Sequence, residues 1–160
     1  MKFPKPTWKR SLLVITASLL IVVISFVVWA STPSGALLPE ALAALEDDAQ
    51  VSVMQADWIE FVPAQMTAPA GFIFYPGGRV QAEAYAPLAR AVAEAGYYAA
   101  IVYPPLNLAF FDIGAARAVM DAQPQIVHWA VAGHSLGGVA ATSFAATNPD
   151  VQGLVIMASY

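Results

Sequence analysis

The chain has 160 residues, 59% of them apolar, and no cysteine, which excludes disulfides and thiolate metal sites. That length is room for one ordinary domain. Four of the seven Lys and Arg residues precede Ser11, and the other three face eleven Asp and Glu, so everything after residue 10 carries about −8, a balance that disfavours nucleic acid and anionic membrane as partners.

Residues 11–30, SLLVITASLLIVVISFVVWA, hold no charge over twenty positions. As a helix this stretch covers about 30 Å, the thickness of a bilayer's hydrocarbon core. Lys2, Lys5, Lys9 and Arg10 lie just before it, and no Lys or Arg follows until Arg79. The asymmetry predicts a cytoplasmic basic segment at 1–10, a transmembrane signal anchor at 11–30 in contact with the lipid bilayer, and an extracytoplasmic remainder. A cleaved signal peptide is the competing reading, with Val28-Trp29-Ala30 before a cut at Ser31 and a secreted product.

Residues 31–50 read as a flexible linker, STPSG, and a short helix with Leu38, Leu42 and Leu45 at helical spacing and Pro39 near its start. Val51 to Val62 predicts one or two strands. Gly71-Phe72-Ile73-Phe74-Tyr75 is a buried strand entering a tight loop at Pro76-Gly77-Gly78. Tyr85, Leu88, Val92 and Ala95 mark a helix face closed by Gly96, with Pro87 tolerable only in the first turn. Tyr97 to Tyr103 is the next strand, and Pro104 to Phe111 (PPLNLAFF) an apolar loop. Asp112 is expected to cap a helix carrying Ile113, Ala116 and Met120, ended by Pro124. Ile126 to Ala132 reads as strand, Gly133 to Gly138 as turn, Val139 to Ala146 as helix and Val151 to Ala158 as a last strand. Strands alternating with helices of this length predict an α/β fold, a mostly parallel sheet with helices on both faces. The last strand would leave an apolar edge unpaired, which natural sheets avoid.

Gly133-His134-Ser135-Leu136-Gly137-Gly138 fits G-x-S-x-G between an apolar strand and a small-residue helix. This is the setting of a nucleophile elbow, with Ser135 as nucleophile and Gly133 and Gly137 as the glycines that let strand and helix pass closely. Acyl transfer needs oxyanion donors. The backbone N–H of Leu136 is one candidate, and Gly78 or Gly77 in the loop after the earlier strand is the other. Plain turn formation by Gly77-Gly78 is the alternative. No metal and no cofactor is expected.

In FIFYPGG, AYAPLARAVAEAGYYAAIVYPPLNLAFF and VAGHSLGG, residues 51–160 resemble part of an α/β-hydrolase domain, specifically the dienelactone-hydrolase-like serine hydrolases. The resemblance implies an eight-stranded, mostly parallel sheet and hydrolysis of an ester, thioester or similar acyl bond in a small-molecule substrate. It also makes PPLNLAFF part of the acyl pocket wall, with plain core packing as the alternative. The family's triad runs Ser, acid, His, yet the chain's histidines are His128 and His134. His128 lies seven residues upstream along a strand, roughly 23 Å from Ser135. His134 adjoins the serine but should point away from its oxygen, and Asp150 precedes its strand at the wrong edge. Two expectations follow. One is a hydrolase whose C-terminal part, with acid and base, is missing after the sixth strand. The other is a catalytically inactive, membrane-tethered binding module.

Overall fold

The computed structural model describes residues 7–66 and 69–159, so the expected basic residues Lys2 and Lys5 lie outside the described residues. Helix α1 (Trp8–Ser31) is apolar on every side and exposed along nearly all its length. Its 24 residues rise about 36 Å, and among the described residues it is the one helix long and apolar enough to cross a membrane.

The segment expected as a flexible linker is instead tied down. Ser34 donates its N–H to the Arg79 carbonyl at 2.8 Å, Arg79 Nε donates to the Thr32 carbonyl at 3.1 Å, and Gln81 Nε2 to the Gly35 carbonyl at 3.2 Å. Helix α2 (Pro39–Ala43) then forms with its proline in the first turn. Leucine spacing located this helix, but its buried side is Ala41, with Ala44 just after it. Leu38 and Leu42 face solvent.

Strands β1 (Val51–Gln55) and β2 (Trp58–Pro63) form an antiparallel hairpin, with Val51 opposite Pro63 and Gln55 opposite Ile59. Asp48 orders its entry, accepting the N–H groups of Gln50 and Val51 at 2.8 Å each and an Arg90 Nη1–H at 2.8 Å. Those backbone bonds, aided by Arg90, hold the Asp48 carboxyl below its ordinary value of 3.8. A carboxyl depressed in the folded state adds stability that is whole above 3.8 and is lost as pH falls toward the lowered value. Asp48→Asn should therefore flatten the acid limb of a stability-against-pH curve measured by urea unfolding. Identical acid limbs in the two proteins would remove Asp48 from the account.

Beyond the hairpin come β3 (Ala70–Tyr75), α3 (Ala86–Glu94), β4 (Tyr98–Val102), α4 (Ala115–Ala122), β5 (His128–His134), α5 (Leu136–Thr147) and β6 (Val151–Met157). Among the described residues six strands make one sheet in the order β1-β2-β4-β3-β5-β6. β3, β4, β5 and β6 run parallel, and β1 and β2 join antiparallel. All five residues of β4 are buried, as a central strand covered on both faces requires. One face packs Ile73, Tyr75, Tyr98, Val131 and Trp129 against α4 and α5. The other packs Phe61, Phe74, Ile101 and Ala132 against α3. Pro87 lies in the first turn of α3 and Gly96, at φ 89°, closes it, as the sequence predicts.

Three local expectations need correction. Asp112 does not cap α4: it lies in a 3₁₀ turn, and Gly114 holds the N-cap position without a side-chain bond. β5 begins at His128 rather than Ile126, because its pairing with β3 starts at Ala70 opposite His128. That pairing runs on to Tyr75 opposite Gly133, so the expected turn of Gly133 to Gly138 shrinks to Ser135 alone.

Candidate active site

Parallel strands deliver their carboxyl ends, and the loops that follow, to one edge of the sheet. Three such loops meet here: Pro76 to Gln81 after β3, Tyr103 to Gly114 after β4, and Ser135 between β5 and α5. They also concentrate unusual backbone. Arg79 (φ 59°), Leu106 (φ 54°), Asn107 (φ 54°) and Ser135 (φ 50°) are all non-glycine residues at positive φ. Each such residue costs of order 1–3 kcal/mol unless its surroundings enforce it. Here bonds do so: the Arg79 N–H reaches the Asn107 carbonyl at 2.8 Å, and the Ser135 N–H reaches the Met157 carbonyl of β6 at 2.9 Å.

Ser135 (φ 50°, ψ −119°) is the whole of the bend from β5 into α5 and is half-buried. A bend this tight brings strand and helix together at their glycines. A Cβ built on Gly133 would lie 2.2 Å from the Gly137 carbonyl carbon. One on Gly137 would lie 2.1 Å from the Tyr75 carbonyl oxygen and 2.4 Å from that of Pro76. Neither position tolerates a side chain, because the obstacles are backbone. The amino end of α5 is thereby pressed against the carboxyl end of β3 and the loop beyond it.

That contact sets where Gly77 and Gly78 lie. Gly78 faces Leu136, whose Cδ2 is 3.4 Å from where a Gly78 Cβ would be, and Leu108 of the apolar loop is 3.6 Å from the same point. The structure thus brings Gly78, Leu108 and Leu136 together beside Ser135. No acceptor among the described residues takes the Gly78 N–H. Leu136, first residue of α5, has one of the N–H groups that a helix leaves without an internal partner, at the end where its dipole favours negative charge.

Gly77 is differently placed. Its N–H donates to the Tyr85 hydroxyl at 3.1 Å, and that hydroxyl shares a 2.9 Å hydrogen bond with Nδ1 of His134. Burial, opposed by the Gly77 bond, raises the Tyr85 phenol above its ordinary value. The three-way contact was not legible in the sequence, since its members are 8 and 49 residues apart. Tyr85→Phe leaves the buried Gly77 N–H without an acceptor, a loss of about 1–3 kcal/mol. Urea unfolding should show it, and a variant as stable as the parent would mean that water substitutes at this site.

Among the described residues no titratable side chain is hydrogen-bonded to the Ser135 hydroxyl. His134 is turned to Tyr85. His128 starts β5 at the far edge and bonds Gln152 through Nδ1 at 2.7 Å. Asp150 lies before β6 and pairs with Arg117 at 3.2 Å. Among the described residues no group of three or more His, Asp or Glu is arranged to hold a metal ion. An apolar cavity of about 390 Å³, lined by Phe72, Val92, Tyr97 and Trp129, opens near the start of β5, at the edge away from Ser135.

Comparisons with known proteins agree with this fold. The sequence profile of the alpha/beta hydrolase family matches residues 71–160. No curated protein matches the chain. Among solved structures it is similar to a hormone-sensitive lipase from a metagenome library, at 16% identity and TM-score 0.57, covering 76% of this chain and 49% of that one. It is also similar to a carboxylesterase cloned from a metagenomic library (16%, TM-score 0.56, 74% and 50%). A Pyrobaculum calidifontis esterase gives 20% identity and TM-score 0.51, covering 69% and 43%. At these identities the likeness is one of fold, and the chain spans about half the length of the structures it matches.

Proposed function

The chain belongs to the alpha/beta hydrolase family, and on that premise we propose that it carries the acyl-transfer half of a serine hydrolase, with Ser135 as nucleophile. The observation that supports this most is the backbone of Ser135, a non-glycine residue at φ 50° where strand, helix and β3 loop converge. In this reading the Ser135 oxygen attacks the acyl carbon of an ester or thioester and passes its proton to a base. The carbonyl oxygen takes the negative charge and is stabilised by the N–H groups of Leu136 and Gly78. The carbon–leaving group bond then breaks, the leaving group takes up a proton, and water releases the acyl group from the serine. Of the two glycines, Gly78 is the donor, because the Gly77 N–H is committed to Tyr85. α1 is the membrane anchor, with its basic flank cytoplasmic and the hydrolase fold on the other side.

A second reading, a tethered binding module without turnover, draws on one observation: neither histidine is placed to take the serine proton. The experiment that tests the nucleophile is independent of turnover. A small fluorophosphonate incubated with residues 1–160 should attach, slowly because neither histidine is placed as its base, to Ser135 and nowhere else by peptide mapping. Ser135→Ala should remove the adduct. Equal labelling of parent and variant would end the nucleophile assignment.

A further inference from the structure

The carboxyl end of α1 is built into the mouth of the serine site. Ala30, in its last turn, is fully buried. Asn107 Nδ2 donates to the carbonyls of Ala30 and Ser31 at 3.3 and 3.4 Å. The Arg79 guanidinium lies 4.7 Å from the centre of the Trp29 ring, and Phe26 meets Phe111 edge-on at 6.4 Å. The two loops pinned this way, around Arg79 and around Asn107, are those that hold Gly78 and Leu108 beside Ser135.

An anchor joined to its domain by a free linker would leave the site facing anywhere. This one is joined at the point where the apolar helix would leave the bilayer. Trp is enriched at that depth, and a guanidinium there can bond lipid phosphate. Phe110 and Phe111 are each 46% exposed beside the helix, a costly arrangement in water and a favourable one against acyl chains. The cations are sorted the same way: Arg90 and Arg117 bond carboxylates, whereas Arg79 lies against the helix end. Phe26 of α1 meets Phe111, Phe111 packs on Phe110 at 4.3 Å, and Leu108, buried in the same loop, lies with Leu136 against Gly78.

We propose that the site opens onto the bilayer that holds α1 and takes as substrate a long-chain acyl ester dissolved in that leaflet, its chain entering over Phe110 and Leu108. The substrate class rests on Ser135 being the nucleophile, whereas the facing of the mouth does not.

The chain has no cysteine, so Phe110→Cys and Gln125→Cys can each carry one environment-sensitive nitrobenzoxadiazole label in the full chain. Gln125 lies before β5, at the edge about 23 Å from Ser135. In phosphatidylcholine vesicles the label at 110 should shift to the blue and be quenched by acyl-chain spin-labelled lipid, and the label at 125 should do neither. Phosphatidylcholine with a diazirine at the chain end should crosslink to the tryptic peptide 91–117 as well as to α1. A label at 110 as aqueous as that at 125, or crosslinks confined to α1, overturns the proposal. A short, water-soluble fluorophosphonate reaches Ser135 whichever way the mouth faces. Failure of that labelling alone therefore counts against the nucleophile, and failure of the lipid readouts alone against the bilayer-facing mouth.

Discussion

Gly137→Ala should leave no cooperatively folded hydrolase domain. Its new Cβ would sit 2.1 Å from the Tyr75 carbonyl oxygen, 2.4 Å from that of Pro76 and 2.7 Å from the Tyr75 carbonyl carbon. All three atoms are backbone, so no rotamer change relieves the overlap. Either α5 must lift away from β3 or the end of β3 must bend, and both open the central sheet. Substitutions that force such shifts cost upwards of about 4 kcal/mol, against a total stability of about 5–15 kcal/mol for a domain. Gly133→Ala meets the backbone of Gly137 and Gly138 and should behave alike. Gly78→Ala is the control, because its nearest neighbour is a leucine methyl at 3.4 Å, and it should fold. Thermal melts followed by circular dichroism would separate these cases. A Gly137→Ala protein melting with the parent's midpoint would show that helix and loop are not pressed together as described.

Turnover of simple aryl esters by residues 1–160 should fall about 10⁴- to 10⁶-fold short of an intact triad, the loss seen when a triad member is removed. A serine hydroxyl is a weak nucleophile near neutral pH and must give its proton to a positioned base. His134 spends Nδ1 on Tyr85, and His128 is bonded to Gln152 at the other edge. What remains is the oxyanion donors and binding, worth roughly 10³–10⁴ over water. Brisk hydrolysis lost on Ser135→Ala would mean that His134 leaves Tyr85 and works as base, and His134→Ala would then be the decisive variant.

The parts of the fold written in short stretches of chain could be read from it. The apolar run of β3, the first-turn proline and closing glycine of α3, and the glycines around Ser135 each state a local backbone requirement. Placements decided by distant pairing could not. The start of β5 follows from Ala70 opposite His128, not from where the apolar run begins. That the Gly77 N–H is taken depends on a tyrosine hydroxyl, and nothing in Pro76-Gly77-Gly78 announces Tyr85. The tether at 31–35 looked free because its composition is that of linkers, while its partners Arg79 and Gln81 lie more than forty residues on.

β6 has consequences for handling the protein. It pairs with β5 on one side, and no described strand lies on the other. Leu154, Val155 and Ile156 are each more than 40% exposed, and VQGLVIM carries neither charge nor proline. In residues 1–160 taken by themselves, an uncharged edge of this kind recruits strands from other copies. Preparations of residues 1–160 alone should therefore polymerise with rising concentration and seed one another. Turbidity and thioflavin binding would grow with a lag that Val155→Lys lengthens.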